Sequence, residues 1–150
     1  MNLGDARNVV PMIDQGETED AWVIVMPRAE KSLRDLLDEV GGAGLGTGAA
    51  VGALTDIAQA LGDLAGRVVH RDLKPENVLL VDGRWCLADF GISRFADATT
   101  ALDTRKFAKT PPYAAPEQWR DERATSATDV YAFGVIAYEF GDGAVAVRRA

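Results

Sequence analysis

Residues 70–80 read HRDLKPENVLL. The stretch holds the only histidine of the chain, with Arg71 and Asp72 directly after it and Lys74 and Asn77 two and five positions beyond the aspartate. Charge this dense is usually a solvated loop. Here, however, an apolar strand pattern (Val78, Leu79, Leu80, Val81) follows at once, and a polar cluster at the mouth of a buried strand is where chemistry tends to sit. Asp82-Gly83 then joins VLLV to a second strand, RWCLA. That dipeptide tolerates φ > 0 and favours a tight hairpin turn. A hairpin brings its outer ends together, so Asn77, which enters it, and Asp89, which leaves it, are expected side by side.

An amide and a carboxylate oxygen converging at one hairpin suit a hard cation such as Mg²⁺, which takes oxygen ligands and shares them with phosphates. Asp72 could accept a proton from an incoming hydroxyl. Lys74 could neutralise charge on a transferring phosphoryl group. Together these roles describe phosphoryl transfer.

The rest of the chain supplies a frame. AWVIVM (21–26) reads as a buried strand, and NVVPMIDQGE before it offers a shorter strand and a turn. SLRDLLDEV (32–40) reads as a helix capped by Ser32, with Leu33, Leu36, Leu37 and Val40 on one face. GGAGLGTG (41–48) reads as a flexible linker, because its glycines lack the strand–turn–helix setting of a phosphate-cradling loop. A longer helix follows, with Leu54, Ile57, Ala58, Leu61, Leu64 and Ala65 sharing a face and Gly66 as its stop. Residues 92–112 are polar and Thr-rich, a long loop of the kind that is usually functional or disordered. DVYAFGVIAYEF (129–140) is apolar nearly all round and predicts a fully buried helix, with Ser126 and Asp129 similar to a capping box.

Composition removes several classes. A net charge of -7 argues against a general nucleic-acid binder. No run of about 18 apolar residues reads as a membrane span, and the N-terminus has no apolar signal-peptide core. The single cysteine, Cys86, rules out an intramolecular disulfide and lies in an apolar strand pattern, so it is expected in the core. A reducing cytoplasm is the expected compartment.

HRDLKPEN (70–77), DFG (89–91), APE (115–117) after TPPY, and DVYAFGV (129–135) stand in this order, and on them the chain resembles the protein kinase family. The resemblance implies an α+β, protein-kinase-like fold, truncated: residues 1–30 as a remnant of the small lobe, with two strands and the hinge, and residues 31–150 as an incomplete, mainly helical large lobe up to its central buried helix. The function implied is that of a serine/threonine protein kinase using ATP and Mg²⁺ on a protein substrate. Lys74 is similar to serine/threonine kinases, whereas small-molecule kinases of related fold typically carry a second histidine at that position.

By the same resemblance, Asp72 is the catalytic base, Asn77 and Asp89 are metal ligands, and Lys74 touches the γ-phosphate. Met26 is the gatekeeper, the Pro27 carbonyl and Ala29 N–H meet adenine, and Leu79 floors the adenine pocket. His70 and Phe90 stack in a spine, with Met12 as the next member, and Glu117 and Asp129 are structural. Arg71 and Arg94 are expected to receive a phosphate on Thr104, with Thr99 and Thr100 as competing sites. The glycine-rich loop, the ATP-anchoring Lys and its Glu partner find no match in these 150 residues, nor does the Arg that pairs with Glu117. The alternative reading is therefore a catalytically inactive, pseudokinase-like fragment or binding module.

Overall fold

The computed structural model describes residues 6–19, 21–41, 44–89 and 110–142. Strands β1 (Asp14–Glu17) and β2 (Trp22–Val25) pair antiparallel, with Asp14 opposite Val25 and Glu17 opposite Trp22. Helices α1 (Leu33–Val40) and α2 (Thr47–Leu64) follow. A short 3₁₀ turn, Pro75–Asn77, leads into the antiparallel hairpin β3 (Val78–Val81) and β4 (Arg84–Leu87). The one-turn helix α3 (Pro116–Trp119) and the long helix α4 (Ser126–Asp142) complete an α+β architecture. No described helix is long and apolar enough to cross a membrane.

Local chemistry accounts for the element ends. Ser32 caps α1 reciprocally: its Oγ accepts the Asp35 N–H at 3.1 Å, and the Asp35 carboxylate accepts the Ser32 N–H at 2.8 Å. Helix α2 stops where Gly66 takes φ of +71°, a conformation that costs a Cβ-bearing residue about 1–2 kcal/mol. At the β3–β4 turn Asp82 (φ 50°) and Gly83 (φ 73°) are both left-handed, the tight hairpin that their sequence predicts.

The main core lies between α1, α2, the β3–β4 hairpin and α4. Leu33, Ile57, Val78, Leu87 and Ile136 are fully enclosed there, and each such side chain contributes roughly 1.5–3 kcal/mol on burial. A second apolar cluster joins Val10, Val81, Cys86 and Ala88, with Ala29 and Leu79 against it. Residues 8–10 run beside β4, exchanging bonds with Leu87 at 2.8 Å. The N-terminal segment is also tied to α2 by Arg7, whose Nε and Nη2 both reach the Asp63 carboxylate at 3.1 Å.

Four expectations need correction. Strand β2 is not buried: Val23 and Val25 are each 44% exposed. Among the described residues its sheet partner is β1 alone, which is itself exposed. Ala58 on α2 and Ala65 just past its end are exposed, and the buried stripe is Ala53, Ile57, Ala60 and Leu64. The glycine linker is shorter than predicted, because α2 takes in Thr47 and Gly48. Finally, α4 is enclosed on one side only. Ala132, Ile136 and Phe140 enter the core, while Val130, Tyr131 and Tyr138 stay exposed.

The α4 cap also sits one residue earlier than its sequence suggests. Thr125 Oγ1 accepts the Ala127 N–H at 3.3 Å, and Thr128 Oγ1 accepts the Thr125 N–H at 3.0 Å. Asp129 is thereby released from capping for a different task.

Candidate active site

That task is to hold the start of the loop at residues 70–77. Asp129 is 4% exposed, and its two carboxylate oxygens accept the His70 N–H at 2.8 Å and the Arg71 N–H at 2.9 Å. From the other side, Gln118 donates its amide to the Arg71 carbonyl at 2.7 Å, while its own carbonyl accepts the Ala115 N–H at 3.0 Å. So α4 and α3 hold the peptides before and after Arg71, one on each side of the residue. The grip matters because Arg71 is left-handed, with φ of 72°, where non-glycine residues are uncommon.

The His70 ring is buried, and one ring nitrogen, Nε2, lies 2.9 Å from the Ala88 carbonyl. A carbonyl only accepts, so the proton sits on Nε2. Burial lowers the His70 pKa, outweighing the pull of Asp129; burial likewise raises that of the Asp129 carboxyl, against the two amides that favour its charged form. For His70 the consequence has a sign. Above its usual value of 6.5 the ring is neutral both folded and unfolded, and its contribution is fully present. Just below 6.5 the unfolded chain takes up a proton that the folded chain refuses, so stability falls as pH falls. The thermal midpoint is expected to drop between pH 7 and pH values just below 6.5 (about one unit lower), and His70→Gln is expected to flatten that slope. An unchanged slope in the variant would contradict the assignment.

Beyond Arg71 the loop presents Asp72, and three side chains converge on it. Lys74 Nζ lies 2.7 Å from Oδ2. Thr110 donates its hydroxyl to Oδ1 at 2.8 Å and accepts from Lys74 Nζ at 3.0 Å. Asn77 donates Nδ2 to the Asp72 carbonyl at 2.8 Å, closing the loop on itself. With its amide nitrogen so engaged, Asn77 keeps its Oδ1 as a hard oxygen donor. The Asn77 carbonyl accepts the Ala88 N–H at 2.9 Å, so Asp89 is the residue beside that rung, exposed and left-handed at φ 57°.

Asn77 and Asp89 therefore offer oxygens at one end of the hairpin. Among the described residues no cluster of three or more His, Cys, Asp or Glu could hold a metal. Two oxygen donors fit a cation that completes its shell with phosphate and water, as Mg²⁺ does.

Of the other predicted site residues, Leu79 and Ala29 pack in the same apolar cluster. The segment before α1 pairs with β3 through Glu30 N–H to Leu80 carbonyl at 2.8 Å and Leu80 N–H to Lys31 carbonyl at 2.9 Å. Met26 is 40% exposed and Met12 52%. Glu117 accepts the Thr128 hydroxyl at 2.6 Å, and that bond holds its carboxyl below the usual range. Phe90, Arg94 and Thr104 lie outside the described residues.

Two contributors escape a reading of the sequence, Thr110 and Gln118. Thr110 opens TPPY and Gln118 follows the glutamate of APE, but neither periodicity nor local spacing tells that they reach residues 38 and 47 positions away.

Comparison with known proteins agrees with this arrangement. The protein kinase domain family matches residues 1–149. Serine/threonine-protein kinase PknL of Mycobacterium tuberculosis is 39% identical over 143 residues, covering 91% of this chain and 35% of that protein. Serine/threonine-protein kinase PrkC of Bacillus subtilis is 32% identical over 144 residues, covering 94% of this chain and 22% of its own length. Serine/threonine-protein kinase PkaA of Streptomyces coelicolor is 48% identical over 83 residues, covering 53% and 15%. The chain thus spans well under half the length of each of these relatives. With residues 1–149 matched to the family and the loop, hairpin and α4 placed as above, the chain belongs to the protein kinase family.

Proposed function

We propose that this chain carries the phosphoryl-transfer centre of a serine/threonine protein kinase, acting from ATP to a hydroxyl on a protein. The observation that supports it most is the Asp72 carboxylate, bonded at once by the Lys74 ammonium and by a hydroxyl, that of Thr110. A substrate hydroxyl brought to the same carboxylate would meet a base already oriented and a cation beside it. Its oxygen attacks the γ-phosphorus, the bond from that phosphorus to the β-phosphate oxygen breaks, ADP leaves, and the hydroxyl proton passes to Asp72. Lys74 offsets the charge on the transferring group.

Asn77 and Asp89 are the residues that would hold Mg²⁺. The ion supplies charge neutralisation across the phosphates when bound. Adenine is assigned to the apolar cluster floored by Leu79, with Met26 as gatekeeper and the Pro27 carbonyl and Ala29 N–H as its polar contacts. The kinase reading fits a cytoplasmic location, the expected compartment, where ATP is at hand.

The test is transfer from radiolabelled ATP with MgCl₂, by the full-length polypeptide, to protein and peptide acceptors, followed by phosphoamino-acid analysis. Label on serine or threonine is expected. Label confined to tyrosine, or none, would remove the reading.

Thr104 is proposed as a switch. A phosphate there brings about -1.5 to -2 charges and three acceptor oxygens, which Arg71 and Arg94 could bind together. A Thr99/Thr100/Thr104 triple alanine variant is expected to lose most activity; full activity would contradict the switch.

A further inference from the structure

Away from Asp72, a second dense polar cluster among the described residues has its centre at Arg34 on α1. The guanidinium sits 26% exposed among three carboxylates. Nη1 lies 2.7 Å from Glu139 Oε1 on α4, Nε lies 3.5 Å from Glu76 Oε1 in the turn before β3, and Nη1 lies 3.8 Å from Asp38 on its own helix. Nη2 also donates to the Tyr113 hydroxyl, and that hydroxyl donates to Glu139 Oε2 at 2.7 Å. Arg34, Tyr113 and Glu139 thus close a ring of bonds between α1, α4 and the segment before α3. Tyr113 is 5% exposed and the Glu139 side chain 11%, so neither can exchange this partner for bulk water at low cost.

The ring continues toward Asp72. The N–H groups of Tyr113 and Ala114 both donate to the Thr110 carbonyl, at 3.0 and 3.1 Å. They close the turn whose first residue sets its hydroxyl on Asp72 Oδ1. The chain of contact therefore runs from Arg34 and Glu139 to Tyr113, from Tyr113 to Thr110, and from Thr110 to Asp72.

We propose that Arg34 is a positioning residue: with Glu139 it clamps Tyr113, and through Tyr113 it fixes the turn that seats Thr110 against Asp72. Two further features agree. Burial raises the Tyr113 pKa, and the bond to Glu139 adds to it, so the phenol stays a donor. Burial works against the Arg34 charge, but the bond to Glu139 and the charges of Glu139 and Glu76 more than offset it, so the guanidinium is held charged.

The kinetic consequence rests on the phosphoryl-transfer reading, but the structural one does not. Hydrogen exchange and kinetics on Tyr113→Phe, Arg34→Ala and Arg34→Lys separate them. Tyr113→Phe keeps the ring and removes only the clamping hydroxyl. The amides of Tyr113 and Ala114 are expected to exchange about tenfold faster or more, the weight of one charge-assisted bond, while α2 amides around Ile57 keep wild-type rates. Arg34→Ala is expected to do the same and Arg34→Lys, which retains a cation, to restore part of the protection. In the full-length polypeptide, kcat is expected to fall about tenfold with KM for ATP unchanged. Wild-type exchange at Tyr113 and Ala114 in both Tyr113→Phe and Arg34→Ala would overturn the clamp. So would equal acceleration throughout α2, which marks general loosening. If the wild-type polypeptide transfers no phosphoryl group, the kinase reading fails and the exchange rates alone decide the clamp.

Discussion

Asp72→Asn is expected to lower phosphoryl transfer by about 10²–10⁴-fold, the range over which a positioned general base contributes, while leaving nucleotide affinity nearly unchanged. The asparagine keeps the size of the side chain and an oxygen for Thr110 to donate to, so the loop geometry persists. It cannot take up the hydroxyl proton, and it weakens the hold on Lys74, which now lies 2.7 Å from a carboxylate oxygen. The loss therefore falls on the chemical step. Asp89→Asn should behave differently. It keeps one amide oxygen at that position but removes the ligand charge, so Mg-ATP binding weakens first. Single-turnover rates beside calorimetric affinities for both variants make the comparison. Equal losses of nucleotide affinity in the two would contradict the division of roles.

Asp129→Ala is expected to have the largest effect on folding. Its carboxylate is the acceptor for one buried and one partly buried N–H group, at 2.8 and 2.9 Å. Each donor left without a partner costs about 1–3 kcal/mol, so the pair costs about 2–6 kcal/mol before any cavity is counted. Total stabilities of domains run to about 5–15 kcal/mol, so the variant should lose a large share of its stability and unfold at a markedly lower urea concentration. Asp129→Asn keeps one acceptor oxygen and should lie between the two. Urea unfolding measures the series; a loss below about 1 kcal/mol for the alanine variant would show that other groups can satisfy both amides.

What could be read from the sequence follows how local each feature is. The β3–β4 hairpin was legible because its turn chemistry sits in two adjacent residues, and α1 because Ser32 and Asp35 close their cap within one turn. The approach of Asn77 to the residue beside Asp89 followed from the hairpin alone. Burial was harder. The apolar pattern of residues 21–26 specifies a strand but not what covers it, and among the described residues β2 pairs with β1 alone. The residues of α4 suit a buried helix, yet Tyr131 and Tyr138 point away from the core. Least legible were contacts between distant polar residues. Arg34 meets Tyr113 across 79 positions and Glu139 across 105, and no period or cap in either neighbourhood announces such a pairing.

The left-handed backbone at Arg71 sets selection for endurance against selection for output. Holding a Cβ-bearing residue there costs about 1–2 kcal/mol, and glycine would escape that cost while adding about 0.5–1 kcal/mol of chain entropy to be lost on folding. On backbone terms alone, Arg71→Gly therefore ranges from neutral to mildly stabilising. The same freedom lets the peptides that Asp129 and Gln118 hold swing away, carrying Asp72 with them. A library screened by heat alone would accept glycine at this position, whereas one screened by turnover would discard it. Comparing which residue survives each screen would reveal how much of this protein's marginal stability is the cost of keeping one carboxylate aimed.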